Sequence, residues 1–71
     1  MADKILIFGQ DLCPYTSGAR EDFSRRKIAF EYINVLEDQA GLERMLQLTN
    51  GRRKIPVIVE AGKVTIGFGG S

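Results

Sequence analysis

The residue best suited to do chemistry in this chain is Cys13, its only cysteine. It stands directly before Pro14, a residue favoured at the first position of a helix because its missing N–H would have no partner there. A thiol at a helix N-terminus meets unpaired N–H groups and the positive end of the helix dipole, which favour the thiolate. Because the thiolate attacks disulfides, this placement predicts thiol–disulfide exchange. The alternative is that Cys13 is a small buried hydrophobic residue.

Composition narrows the chemistry further. The chain has no histidine, which excludes Ser-His-Asp hydrolysis and imidazole-ligated metal sites, and no metal site is predicted. Ten Lys and Arg against nine Asp and Glu leave a net charge of +1, which argues against nucleic-acid binding. One cysteine cannot form an internal disulfide, and the N-terminal apolar run is too short for a signal peptide or a membrane span. We therefore expect a cytoplasmic protein.

The elements that must position Cys13 follow from hydrophobic patterning. Apolar β-branched runs predict strands at 4–8, 30–35, 56–60 and 63–66, and helical spacing predicts helices from about 14 to 27 and after Asp38, the expected N-cap. Tyr15, Ala19 and Phe23 are the predicted apolar stripe of the first helix. The order βαβαββ predicts one α/β domain, 1–71, with a mixed four-stranded sheet whose last two strands form a hairpin.

Three motifs resemble one known family. Residues 13–16 read Cys-Pro-Tyr-Thr after a βα junction, which resembles the Cys-Pro-Tyr-Cys active-site motif of the glutaredoxins. Residues 54–57 (Lys-Ile-Pro-Val) resemble the family's Thr-Val-Pro segment, whose proline is cis, and 66–69 (Ile-Gly-Phe-Gly) resemble its glycine turn after the last strand. The resemblance covers nearly the whole chain and implies a thioredoxin-like fold, here without the usual C-terminal helix.

One departure from the family motif decides the implied mechanism. Thr16 stands where the second cysteine is usual, so the resemblance implies a monothiol route in which Cys13 exchanges with glutathione or glutathionylated proteins. Glutathione would be a co-substrate, with no tightly bound cofactor. The Cys-Thr pair is also similar to a glutaredoxin-like branch that carries selenocysteine, of which this chain would be a cysteine relative. Gly67-Phe68 resembles a turn of proteins reduced by thioredoxin reductase, so either that enzyme or glutathione reductase is an expected partner system.

The resemblance also implies which residues build the site. Pro14, Tyr15, Thr16 and Pro56 would support Cys13, and glutathione would contact Gln10, Arg53, Lys54, Ile55, Gly67, Phe68 and Gly69. Other interpretations of these residues stay open. The basic residues can be a solvated loop, Tyr15 can pack with Ala19, and Pro56 read from sequence alone would be trans. Thr16 can hydrogen-bond the thiolate or simply begin the helix, and the final glycines can be a flexible tail.

The predicted function is therefore a glutathione-linked thiol–disulfide oxidoreductase. Two alternatives belong to other classes: a module in which two chains share an iron–sulfur cluster through two Cys13 thiolates, and a thioredoxin-fold binding domain without turnover.

Overall fold

The computed structural model describes residues 5–68 and contains the predicted order of elements. The strands and helices are β1 (Ile5–Gly9), α1 (Pro14–Arg25), β2 (Phe30–Asn34), α2 (Gln39–Leu48), β3 (Val57–Glu60) and β4 (Lys63–Ile66). The predicted first residue of β1, Lys4, lies outside the described residues. No helix between residues 5 and 68 is long and apolar enough to cross a membrane.

The sheet brings four chain segments to one edge. Its strand order is β2-β1-β3-β4, with β2 parallel to β1, β3 antiparallel to β1, and β4 antiparallel to β3. The C-terminal ends of β1, β2 and β4 and the N-terminal end of β3 therefore meet at the same edge. Phe8 pairs with Val57, so Gly9 and Pro56 follow side by side there. This confirms the predicted mixed four-stranded α/β sheet, which has the thioredoxin-like arrangement.

Each face of the sheet carries its own apolar cluster, because successive side chains of a strand point to opposite faces. Leu6 and Phe8 of β1 belong to the cluster that contains Met45 of α2. Ile7, between them, belongs to the cluster that contains Ala19 and Phe23 of α1. The central strand β1 is thus covered on both sides, which fits its unbroken apolar sequence.

Local signals set most element boundaries. The Asp38 side chain caps α2 by accepting the Gly41 N–H at 2.9 Å, as predicted. Ala61 and Gly62 both have positive φ (51° and 82°), the backbone of a two-residue hairpin turn between β3 and β4.

Four predicted boundaries are wrong by one or two residues. Strand β1 ends at Gly9 and not at Phe8. Helix α1 ends at Arg25 and not at Lys27, whose φ of 59° is left-handed and stops the helix. Strand β2 ends at Asn34 and not at Val35. Strand β3 begins at Val57 and not at Pro56, which has no N–H to donate to a neighbouring strand.

Candidate active site

Cys13 is the N-cap residue of α1, with extended backbone angles (φ −82°, ψ 117°). Pro14 is then the first helical residue, and Tyr15 and Thr16 occupy the second and third positions. An N-cap side chain accepts hydrogen bonds from the N–H groups at these two positions. No side-chain capping hydrogen bond of ordinary geometry is formed, but both N–H groups lie where they can stabilise a negatively charged sulfur. The predicted helix-start placement of Cys13 is confirmed, and its side chain is half-buried.

The surroundings of Cys13 favour its charged form. Partial burial raises the pKa of the Cys13 thiol, but hydrogen bonding to the Thr16 hydroxyl and to the N–H groups of Thr16 and Tyr15 outweighs burial, and the pKa is lowered from its ordinary value. All of these donors belong to the first turn of α1. The arrangement can therefore supply the nucleophilic thiolate that disulfide exchange needs.

Thr16 is held in one place by the strand beneath it. Its side chain is fully buried, and Oγ1 is a buried oxygen without a hydrogen-bond partner of ordinary geometry. It packs on Gly9, where an added Cβ would lie 2.5 Å from Thr16 Cγ2. Gly9 thus leaves the space that Thr16 fills, and the otherwise unused hydroxyl is available to the sulfur.

Tyr15 does not belong to the core. The predicted apolar stripe of Tyr15, Ala19 and Phe23 is wrong at its first member, because the buried residues of α1 are Thr16, Ala19 and Phe23. The Tyr15 side chain is 43% exposed, so the interpretation that it packs with Ala19 is excluded. Leu12, on the other side of Cys13, is 93% exposed. Two apolar side chains in contact with solvent therefore flank the nucleophile in sequence.

The Ile55–Pro56 peptide bond is cis, as the resemblance to glutaredoxins implied and as sequence statistics alone did not. Pro56 is fully buried, while Ile55 is half-buried against the α2 side of the sheet. The Gly67 N–H donates to the Pro56 carbonyl at 2.7 Å, and Gly67 has a φ of 94°. The segment before β3 and the turn after β4 are therefore tied together at the edge where Cys13 lies.

This tie bears on the predicted glutathione contacts at the C-terminus. The Gly67 N–H already donates its hydrogen bond to the Pro56 carbonyl. Any contribution of Gly67 to a carboxylate site would therefore come from the turn that its positive φ allows. The Phe68 ring packs toward α1, 3.6 Å from the position of a Cβ on Gly18. Gly69 lies outside the described residues, and its role stays a prediction.

The other predicted glutathione contacts reach the site edge from two loops. Gln10 is half-buried after β1, and its carbonyl accepts the Cys13 N–H at 3.3 Å. Arg53 and Lys54 are exposed in the segment before β3. The start of that segment is anchored by the buried Thr49, whose hydroxyl donates to the Arg52 carbonyl at 2.8 Å. Topology thus brings cations and the nucleophile to one edge, while glutathione contact itself stays a prediction.

A comparison with protein families bears on these features together. The glutaredoxin family model matches residues 5–65. The chain belongs to the glutaredoxin family. Glutaredoxins are in general thiol oxidoreductases with glutathione as co-substrate, and the family and the fold support a thiol–disulfide redox function here. A comparison with curated proteins gives no match.

Solved structures agree with this assignment. The glutaredoxin of Archaeoglobus fulgidus is 25% identical with a TM-score of 0.81, over 96% of this chain and 77% of its own. The thioredoxin-like protein BC3987 is 29% identical with a TM-score of 0.84, over 92% of this chain and 88% of its own. Wheat glutaredoxin is 21% identical with a TM-score of 0.74, over 93% and 64%, and shows the shared fold.

One feature of this glutaredoxin site was not predicted from the sequence. Asp11, in the turn before Cys13, accepts a hydrogen bond from the Tyr32 hydroxyl at 2.8 Å. Arg20 of α1 lies over the Tyr32 ring, with its guanidinium carbon 4.0 Å from the ring centroid and Nη1 3.9 Å from Asp11 Oδ1. No sequence signal joins these residues. Within residues 5–68 there is also no group of three potential metal ligands.

Proposed function

We propose that this protein is a glutathione-linked thiol–disulfide oxidoreductase that works by a monothiol mechanism through Cys13. The observation that carries the proposal is the lowered pKa of the Cys13 thiol, caused by donors in the first helical turn that outweigh burial. A thioredoxin-fold module that had lost its chemistry would have no need of a cysteine at a helix N-terminus whose surroundings lower its pKa. Membership of the glutaredoxin family supports the same conclusion.

The proposed reaction has two exchanges. The Cys13 thiolate attacks the glutathione sulfur of a protein–glutathione disulfide, forms a Cys13–glutathione disulfide, and releases the protein thiolate. The thiolate of a second glutathione then attacks the glutathione sulfur bound to Cys13, which regenerates the Cys13 thiolate and forms oxidised glutathione. Over the two exchanges, one free glutathione thiolate is oxidised and the protein sulfur is reduced to its thiolate, and the oxidised glutathione that leaves contains one glutathione from the substrate and one from solution.

Thr16 supports the monothiol route in two ways. It supplies no second sulfur, so an intramolecular disulfide with Cys13 cannot form and glutathione has to complete the cycle. Its buried hydroxyl also favours the Cys13 thiolate that is regenerated at the end of the second exchange. A stabilised Cys13 thiolate is present as the nucleophile in the first exchange and is a good leaving group in the second.

Binding of glutathione is proposed to use the same sheet edge. The backbone of Ile55 before the cis proline is suited to pair with the extended peptide of glutathione. Arg53 and Lys54 offer positive charge to its glycine carboxylate, and Gln10 offers a neutral hydrogen-bonding side chain. Phe68, with Gly67 and Gly69, would close the site beyond β4.

A coupled assay tests the proposal directly. Reduction of a small glutathione mixed disulfide is followed through NADPH oxidation by glutathione reductase, with Cys13→Ser as the variant without a nucleophile. We expect turnover in the wild type and none above background in Cys13→Ser. Full turnover in Cys13→Ser would contradict the mechanism.

Two further arms separate the neighbouring possibilities. Reduction that proceeds with thioredoxin reductase but not with glutathione would contradict glutathione as the reductant while keeping Cys13 as nucleophile. A coloured dimer after anaerobic reconstitution with iron and sulfide, together with absent turnover, would favour the cluster-sharing alternative.

The binding residues have their own test. Replacing both Arg53 and Lys54 with glutamine is expected to raise the KM for glutathione by roughly three- to thirtyfold, since each lost charge-assisted contact in an exposed site is worth about 1 kcal/mol. The matched control is Lys63→Gln, because Lys63 begins β4 at the opposite end of the sheet. Because Lys63→Gln removes one charge instead of two, an effect on log KM that is half that of the double variant would show that only net charge matters.

A further inference from the structure

The carboxylate nearest to Cys13 in sequence is held by two other elements. Asp11 stands two positions before Cys13, within the turn in which the Cys13 N–H donates to the Gln10 carbonyl. Its Oδ1 accepts the Tyr32 hydroxyl at 2.8 Å, a distance typical of a strong O–H···O⁻ hydrogen bond. Asp11 itself is exposed, so without that bond little would fix its side chain.

Tyr32 supports this carboxylate from a half-buried position. It lies on β2, opposite Ile7 of the central strand, and its ring packs against the apolar cluster beneath α1. Burial and the hydrogen bond to Asp11 raise the pKa of Tyr32 to about 12, so the phenol keeps the proton that it donates.

Arg20 adds a weaker contribution from α1. Its guanidinium lies over the Tyr32 ring at 4.0 Å and faces Asp11 Oδ1 at 3.9 Å, but both members of the ion pair are exposed, which limits the pair itself to a small energy. Glu37, after β2, is the other carboxylate that acts on Tyr32. The groups that set the charge of Cys13 are instead the donors of Tyr15 and Thr16.

We infer that Tyr32 and Arg20 are positioning residues that keep the Asp11 carboxylate on the β2 side of the turn, away from the Cys13 sulfur. A carboxylate released from this position could approach the sulfur and oppose the formation of a second negative charge there. The inference deepens the proposed function, because it assigns the residues that preserve the thiolate on which that function rests.

The test measures the thiolate and not turnover, so it remains informative even if glutathione is not the reductant. The rate of Cys13 alkylation by a neutral reagent is followed against pH. Tyr32→Phe keeps the ring and removes only the hydroxyl, and we expect alkylation at a pH below the pKa of the thiol to slow by roughly two- to threefold. That is the effect of one unit charge at about 8 Å through water.

A second substitution gives the decisive comparison. In the Tyr32→Phe protein, Asp11→Asn removes the released charge and is expected to restore the wild-type profile. Arg20→Gln should shift the profile in the same direction by a smaller factor, and Asp11→Asn should cancel that shift too. If the Tyr32→Phe protein unfolds, Arg20→Gln with and without Asp11→Asn still makes the comparison, and the reverse holds if Arg20→Gln unfolds.

The chain offers a matched control at the other end of α1. Arg26 pairs with Asp22 at 2.8 Å and lies 5.0 Å from the centroid of the Phe23 ring, so Arg26→Gln removes a similar arrangement far from the site. It should leave the alkylation profile unchanged. An unchanged profile in Tyr32→Phe, a shift that persists after Asp11→Asn, or an equal shift in Arg26→Gln would each overturn the inference.

Discussion

Replacing Thr16 with valine should lower the reactivity of Cys13 and raise the free energy of unfolding. Valine keeps the branched shape that packs on Gly9, and it removes only the hydroxyl. That hydroxyl is buried without a hydrogen-bond partner of ordinary geometry, yet it helps to lower the pKa of the Cys13 thiol. Thr16→Val therefore deletes a group that favours the thiolate and that contributes little to the folded state when the thiol is neutral.

The reactivity side of the prediction follows from hydrogen-bond energies. A hydrogen bond to a charged group contributes about 1.5–3 kcal/mol, and we lower this to about 1 kcal/mol because the sulfur is half-exposed and shares two backbone donors. At a pH below the pKa of the thiol, this corresponds to roughly fivefold less thiolate and a similar fall in the rate of alkylation.

The stability side follows from desolvation. A buried hydroxyl without a partner costs about 1–3 kcal/mol. Its removal should raise the free energy of unfolding at acidic pH, where Cys13 is neutral, by up to about 1 kcal/mol, a rise in Tm of roughly 4–8 °C for a domain of this size. Thermal melts at acidic pH and alkylation rates across neutral pH measure the two quantities on the same protein.

Thr16→Ser is the matched control, because it keeps the hydroxyl and removes only the methyl group. It should retain most of the alkylation rate and lose stability. Unchanged alkylation in Thr16→Val would refute the role of the hydroxyl, and reduced stability in Thr16→Val at acidic pH would refute the reading of Oγ1 as an unused buried group.

Three further predictions concern other residues. Gly9→Ala should lower the free energy of unfolding by about 1–3 kcal/mol because its Cβ has no space, whereas Gly18→Ala, whose Cβ would have ordinary contacts inside a helix, should raise it by about 0.5–1 kcal/mol in urea titrations. Ultraviolet titration should show a tyrosine ionising at about pH 12 that Tyr32→Phe removes, and the corresponding stabilisation should be complete below about pH 10 and be lost as pH rises toward 12. Because folding lowers the pKa of Cys13, its contribution to stability should be complete above about pH 8.5 and be lost as pH falls through the folded value, a dependence that Cys13→Ser should abolish.

Features that rest on neighbouring residues could be predicted from the sequence. The Asp38 cap and the hairpin of the last two strands, which turns at Ala61 and Gly62, depend on the conformations of a few adjacent residues, and both are confirmed. The placement of Cys13 at the start of α1 follows equally from the proline beside it. For the cis bond before Pro56 the local signal was insufficient, and only the resemblance of three motifs together predicted it.

Features that depend on tertiary packing could not be predicted in the same way. Tyr15 and Ala19 are four residues apart, so their side chains are rotated by about 40° from each other around the helix axis. The sheet lies against the face that carries Thr16 instead of Tyr15. Tyr32 and Asp11 are 21 positions apart and meet only because β2 pairs in parallel with β1. An exposed aspartate beside the nucleophile gives no sign in the sequence of which strand will hold it.

The two halves of the site are assembled over different distances along the chain. Cys13 and its hydrogen-bond donors lie in the continuous stretch of chain from β1 to β2. The loop that carries Arg53 and Pro56 is placed instead by the pairing of β3 with β1, for example of Val59 with Leu6. Loop closure over short separations costs less entropy, so the unit that holds the thiolate is expected to form before the β3–β4 hairpin docks. Local opening of that hairpin would leave the Cys13 thiol without the groups that are proposed to bind glutathione. Conditions that increase amide exchange in β3 and β4 should therefore lower the proposed specificity for glutathione. Conditions that increase amide exchange in the first turn of α1 should lower the reactivity of Cys13.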